Sequence, residues 1–210
     1  MEPYKTAVIS AQFFNIKFIR INRVMISKKI HPEPLSRRGR FFAGLILLGF
    51  AGIWILAIYA YQTLPDTIPT HFNFGGKPDS YGDKSTWLIL PAAFSIAPLM
   101  FLLIAKYRFT IINNHPYLIN LPAFFMIMDR IPVEKRAWWV NKYFEVLLGL
   151  GAVMTFYFFA IEYGIYAGTV AGAMPEWFLP VTLGAIPVLI LGFMAFLKKL
   201  SAEIAEETKI

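Results

Sequence analysis

Four apolar runs, each long enough to cross a lipid bilayer, constrain this 210-residue chain more than any other feature. They are FFAGLILLGFAGIWILAIYAYQT (41–63), WLILPAAFSIAPLMFLLIA (87–105), FEVLLGLGAVMTFYFFAIEYGIYA (144–167) and WFLPVTLGAIPVLILGFMAFL (177–197). A helix rises about 1.5 Å per residue and the hydrocarbon layer is about 30 Å thick, so roughly 20 apolar residues span it. Buried helices of water-soluble proteins keep one polar stripe, whereas these runs are apolar all round. Only the third holds acids, Glu145 and Glu162. The expected fold is an all-α polytopic membrane protein with four transmembrane helices arranged as two hairpins. A hydrophobic content of 57% fits lipid as the solvent.

Basic residues set the expected orientation. Lys and Arg number nine before Phe41, two in 64–86, six in 106–143, none in 168–176 and three after Leu197. That asymmetry predicts a multi-pass protein of the cell membrane with both termini and the middle segment in the cytoplasm. The net charge of +7 therefore lies at helix ends facing lipid headgroups, so the bilayer and not nucleic acid is the expected partner. The implied organisation is a basic cytoplasmic segment (1–40), a first hairpin (41–107) with an outer loop (64–86), a cytoplasmic interfacial segment (108–143), a second hairpin (144–197) and a cytoplasmic tail (198–210).

Two readings of residues 1–24 stay open: a basic amphipathic helix on the membrane surface, or an extension ahead of a start at Met25. In the middle segment, the apolar stretch 118–128 is too short to span and is expected to lie at the interface or to re-enter the membrane. From Pro132 onward the pattern predicts a helix that runs into the third span, with Trp138, Trp139 and Tyr143 in an aromatic belt and Lys135 and Arg136 near phosphates. The second and fourth runs share a spacing, Trp87, Pro91 and Pro98 against Trp177, Pro180 and Pro187, which fits two related hairpins with proline-bent helices.

The outer loop, LPDTIPTHFNFGGKPDSYGDK (64–84), is the chemically richest stretch. Its prolines hold the chain extended, THFNF alternates, and GGKPDSYGD is turn material, so a small β-hairpin-like extracytoplasmic cap is expected. Strict alternation would put Phe72 and Phe74 on one face and His71 and Asn73 on the other. Candidate ligand-binding residues are His71, Asp66, Asn73, Asp79, Lys84 and Glu162. His71, Asp79 and Glu162 together offer one imidazole and two carboxylates, a set suited to a divalent metal such as zinc, although their spacing fits no short metal motif. Glu162 is a candidate on physical grounds, because an ionisable group in a membrane helix is costly and is retained for a use or snorkels to the headgroups. The absence of cysteine removes thiolate ligands and cysteine nucleophiles.

Leu64, Pro65, Asp66, Ile68, Pro69, His71, Phe72, Asn73, Gly76, Pro78, Asp79, Tyr81, Gly82 and Lys84 resemble the signature of the domain of unknown function 1648 membrane family, which includes SdpI-type immunity proteins. The resemblance covers about residues 55–105. It implies an integral membrane protein with the signature in an extracytoplasmic loop, and it implies no reaction. The chain departs from the SdpI type after the second span.

Three functions are then in competition. The first is a non-enzymatic membrane protein whose outer loop recognises an extracytoplasmic peptide or ion, with immunity or signalling of the SdpI type as a special case. The second is a small transporter or channel subunit that uses Glu162 and the proline-bent spans in a homo-oligomer. The third is a metal-dependent membrane enzyme built on His71. The loop holds no nucleophile with an evident base, so no catalytic residue is assigned.

Overall fold

The computed structural model describes residues 29–115, 118 and 130–207. Both readings of residues 1–24, and the expected interfacial stretch 118–128 apart from Leu118, fall outside the described residues. The elements in order are α1 (Arg37–Thr63), β1 (Thr67–Phe72), β2 (Pro78–Asp83), a 3-10 helix (Lys84–Leu88), α2 (Ile89–Lys106), α3 (Arg108–Asn114), α4 (Val133–Ala171) and α5 (Phe178–Glu207). Four helical stretches, Arg37–Thr63, Lys84–Lys106, Val133–Ala171 and Phe178–Glu207, are long and apolar enough to cross a membrane. Each exceeds its apolar run because local signals extend it. Ser36 starts α1 four residues early by accepting the Gly39 N–H on its hydroxyl (3.1 Å), within the basic segment expected to precede the first span. As expected, the helix opened near Pro132 continues unbroken into the third span, giving the 39 residues of α4.

The described residues form two compact units. One comprises Leu35–Lys106 with Asn141–Leu200, and it holds the cap and most of each apolar helix. Its surface is greasy: Leu47, Ile55, Leu183, Val188 and Leu191 are each more than half exposed, while Ser95, Thr155 and Glu162 are buried. Water would not tolerate such an inversion, and lipid favours it. Buried positions on α1 recur every seven residues at Gly39, Ile46, Ile53 and Ala60, with Gly49 and Ala57 between them. A Cβ on Gly49 would meet Thr155 Cγ2 of α4 at 2.8 Å, so the two backbones approach as closely as they do only because the residue is glycine.

Where apolar burial gives no advantage over lipid, packing and buried hydrogen bonds hold helices together. Ile46 packs with Ala105, Leu148 and Ala152, and Phe94 of α2 stacks on Phe158 of α4 with ring centres 4.9 Å apart. Trp54 Nε1 of α1 donates to Ser95 Oγ of α2 (2.9 Å), and that hydroxyl donates to the Pro91 carbonyl (2.7 Å). Pro98 sits within α2 and removes the N–H that would bond the Phe94 carbonyl, and Pro187 does the same within α5 for Leu183. The Tyr157 hydroxyl of α4 donates to the Thr182 carbonyl of α5 (2.9 Å).

The other unit is made of the described parts of Met1–Pro34, Tyr107–Val140 and Ser201–Ile210. Asn113 of α3 clamps Ile30 through both backbone groups (2.9 Å each), and Arg108 donates to the Glu33 carbonyl (2.5 Å). The Glu207 carboxylate accepts from Lys135 Nζ and from Trp139 Nε1 (2.9 Å). These contacts correct the expected membrane anchor. Trp139 is buried, Arg136 is buried with Nε donating to the Ile131 carbonyl (3.1 Å), and Lys135 pairs with an acid, while Trp138 keeps an exposed face; Tyr143, which belongs to the first unit, is buried as well. Protein partners supply what phosphates were expected to supply.

Candidate functional site

The cap is a two-stranded antiparallel hairpin joining α1 to the 3-10 helix. Its register pairs Thr67 with Asp83, Ile68 with Gly82, Pro69 with Tyr81, His71 with Ser80 and Phe72 with Pro78. Irregularities on both sides of His71 interrupt the ladder. Such bulges bend a strand and re-aim the side chain beside them. The expected alternation therefore stops at Phe72. Asn73 turns the chain by accepting the Gly75 N–H (2.9 Å) and the Lys77 N–H (3.1 Å) on Oδ1, and Phe74 stands fully exposed at the tip.

Most of the polar residues singled out from sequence are occupied in building this cap. Asp66 pairs with Lys84 (2.8 Å), whose ammonium also lies over the Tyr61 ring (5.6 Å). Asp83 caps the 3-10 helix by accepting the Ser85 N–H (2.7 Å), and hydrogen bonding from Ser85 holds its carboxyl below the ordinary value. His71 Nδ1 and Asp79 Oδ1 lie 2.5 Å apart on the exposed face. Gly76, with φ of 72°, brings its carbonyl to the Met174 N–H (2.7 Å) in the loop between α4 and α5. The cap is thereby tied to a second connection far away in sequence.

The structure separates the proposed metal set. His71 meets Asp79, Lys84 is committed to Asp66, and Glu162 joins neither pair. Among the described residues there is no group of three or more His, Cys, Asp or Glu side chains able to hold a metal. Glu162 itself is fully buried, and neither carboxylate oxygen has a hydrogen-bond partner among the described residues. α4 continues for nine residues beyond it to Ala171, and with no exposed surface the carboxylate does not reach outward from the helices. Snorkelling is thereby removed as its explanation.

Between the cap and the helix ends lies a crevice of about 480 Å³. Ile68, Pro69 and His71 form its cap side, Trp87 and Leu90 come from the 3-10 helix and α2, and Ile165 and Phe178 come from α4 and α5. A neighbouring hollow of about 270 Å³ shares Phe72, Met174 and Phe178 with it. Ile68 and Trp87 of the larger crevice pack with Ala60 and Leu64, against Ile165 and Tyr166. Of the predicted site residues, His71 alone lines the larger hollow, and Asn73 lines the smaller. Sequence reasoning missed Ile165, Met174 and Phe178. Each reads as an ordinary apolar residue, and only the chain's return beneath the cap gives it a place there.

A β-hairpin set on helices long and apolar enough to span lipid defines a multi-pass membrane protein with a structured cap. Residues 48–94 match the family described as Domain of unknown function (DUF1648), and the chain belongs to that family. An uncharacterized protein of Archaeoglobus fulgidus is 41% identical over 178 residues, spanning 85% of this chain and 97% of that protein. No solved structure matches the chain.

Proposed function

We propose that this protein is a non-enzymatic membrane receptor whose cap faces the outside of the cell and whose crevice takes the apolar part of an extracytoplasmic ligand. The observation that carries this reading is the crevice of about 480 Å³. It has the size of a small-ligand pocket, apolar walls from five separate elements, and one imidazole at its edge. The His71 and Asp79 pair, exposed at that edge, is suited to hydrogen-bonding a polar end of the ligand. The excess of basic residues in alternate segments supports an orientation with both termini in the cytoplasm and the cap outside.

Because the chain has no cysteine, single-cysteine variants report cleanly. An impermeant thiol reagent added to intact cells should label Ser80→Cys in the cap and spare Ser201→Cys; the reverse pattern would turn the site inward and end this reading. A fluorophore on Thr86→Cys, at the crevice rim, should respond to a neutral acetylated peptide amide rich in Leu and Phe. The response should be lost when Ile165→Trp fills the hollow. A response unchanged by Ile165→Trp would place binding elsewhere. Immunity of the SdpI type is a narrower form of this proposal, tested by whether expression protects a sensitive host against secreted toxins.

Glu162 favours one alternative, a transport role in which the carboxylate and the proline-bent α2 and α5 line a path. Ion flux in proteoliposomes that disappears with Glu162→Gln would put transport in place of recognition.

A further inference from the structure

The carboxylate of Glu162 is the one ionisable group singled out from sequence that neither the cap nor the crevice wall uses. It is fully buried, both oxygens lack partners among the described residues, and Lys84, the cation of the cap base, is engaged by Asp66. A buried polar group is ordinarily satisfied, so one that is not marks either strain or a missing partner. Two features say what kind of partner fits.

The first is an aromatic arrangement on the same side of α4. Tyr166 lies four residues after Glu162, hence on the same helix face. Its ring meets Tyr59 of α1 edge-on at 6.0 Å between centres and Trp87 at 6.3 Å. Aromatic rings gathered about one helical turn from a carboxylate can attract an organic cation and stay compatible with an apolar body. The second is position. Ile165 and Trp87, both on the crevice wall, bracket the region: Ile165 is three residues from Glu162, about 4.5 Å along the helix axis. Glu162 thus sits about one helical turn from a wall residue of the crevice, without itself lining it. The Trp87 indole N–H is also buried without a partner among the described residues, leaving a donor beside the same wall.

We infer that the crevice ligand is an amphipathic monocation, whose ammonium group reaches Glu162 between Tyr59, Trp87 and Tyr166 while its apolar chain fills the hollow above. This rests on the reading of the crevice as a binding site and adds the chemical class of what it binds. Burial of the ion pair in a low-dielectric pocket makes the charged contact selective: a neutral ligand of equal length fills the hollow and leaves the carboxylate unanswered.

Two photoreactive probes separate the possibilities in the full chain held in lipid nanodiscs: a dodecylammonium bearing a diazirine, and the dodecanol that differs only in its head. Crosslinked peptides are located and quantified by mass spectrometry. The ammonium probe should label the Trp87 and Ile165 peptides at about tenfold lower concentration than the alcohol, the preference expected of one charge-assisted contact. Glu162→Gln should erase that preference and leave labelling by the alcohol unchanged. Equal labelling of the crevice by both probes in the wild type would overturn the cation inference and leave the crevice reading standing. Labelling of neither crevice peptide would overturn both. Should Glu162→Gln fail to fold, the wild-type preference alone decides, with Glu162→Asp as the charged control.

Discussion

The cap and the buried outer half of α4 treat polar groups in opposite ways. In the cap, Asp66 has Lys84, His71 has Asp79, Asp83 has the Ser85 N–H, and Asn73 has two backbone donors. In the helices, Glu162, the Trp87 indole, Thr169 and Thr182 each carry a buried polar atom with no partner among the described residues. The exposed region is internally complete and the buried region is not. Water at the cap would have satisfied those groups at little cost, whereas an unmet group inside the bundle is expensive. The difference teaches that most polar loop residues are spent on the cap's own contacts, while the less conspicuous carboxylate within the bundle is left without a partner among the described residues.

The largest expected effect tests the expensive side. Glu162→Met removes two unsatisfied oxygens at nearly constant size and should stabilise the unliganded protein by about 2 kcal/mol, raising its thermal midpoint in detergent. A loss of stability of that size would mean that the carboxylate already has a partner, and the contrast would collapse. Next comes the tie between cap and helices. Gly76→Ala places a Cβ 3.3 Å from Met174 Cβ at a φ of 72°, and should destabilise by about 1 kcal/mol, with faster proteolysis of the cap as the readout.

His71→Ala should change thermal stability by less than about 0.5 kcal/mol, because its pair with Asp79 is largely exposed and solvent screens it. A large loss would make the pair a structural element and weaken its assignment to the crevice edge. The smallest effect is a pH dependence. Hydrogen bonding from Ser85 lowers the Asp83 carboxyl from its ordinary 3.8, so the folded state binds that proton less readily than the unfolded chain. The resulting stability is present above 3.8 and is lost as pH falls through the folded value. Asp83→Asn should flatten that part of the acid limb in circular dichroism melts while leaving the neutral-pH melt close to wild type.

The four long apolar helices, the helix that starts after Pro132 and the small hairpin between the first two of them were all legible in the chain, because hydrocarbon thickness, helix rise and turn chemistry act locally. Local signals also misled where partners lay far away. Lys135 and Trp139 carry the marks of a headgroup anchor, and Glu207, at the far end of another helix, answers both. His71, Asp79 and Glu162 have the chemistry of a metal set, yet the bulged strand turns the imidazole toward Asp79 while α4 buries Glu162 elsewhere.

By itself, then, the sequence determined which stretches are long and apolar enough to cross lipid, that a hairpin lies between the first two of them, and that an acid sits inside an apolar helix. Periodicity, length and charge are properties of neighbours along the chain and can be read there. Only the tertiary structure decided that Met174 docks on Gly76, that Ile165 and Phe178 wall a crevice with the cap, and that the rings of Tyr59 and Trp87 meet that of Tyr166. Those depend on how separated segments pack, and apolar side chains of similar size carry almost no sequence signal of which partner they will meet.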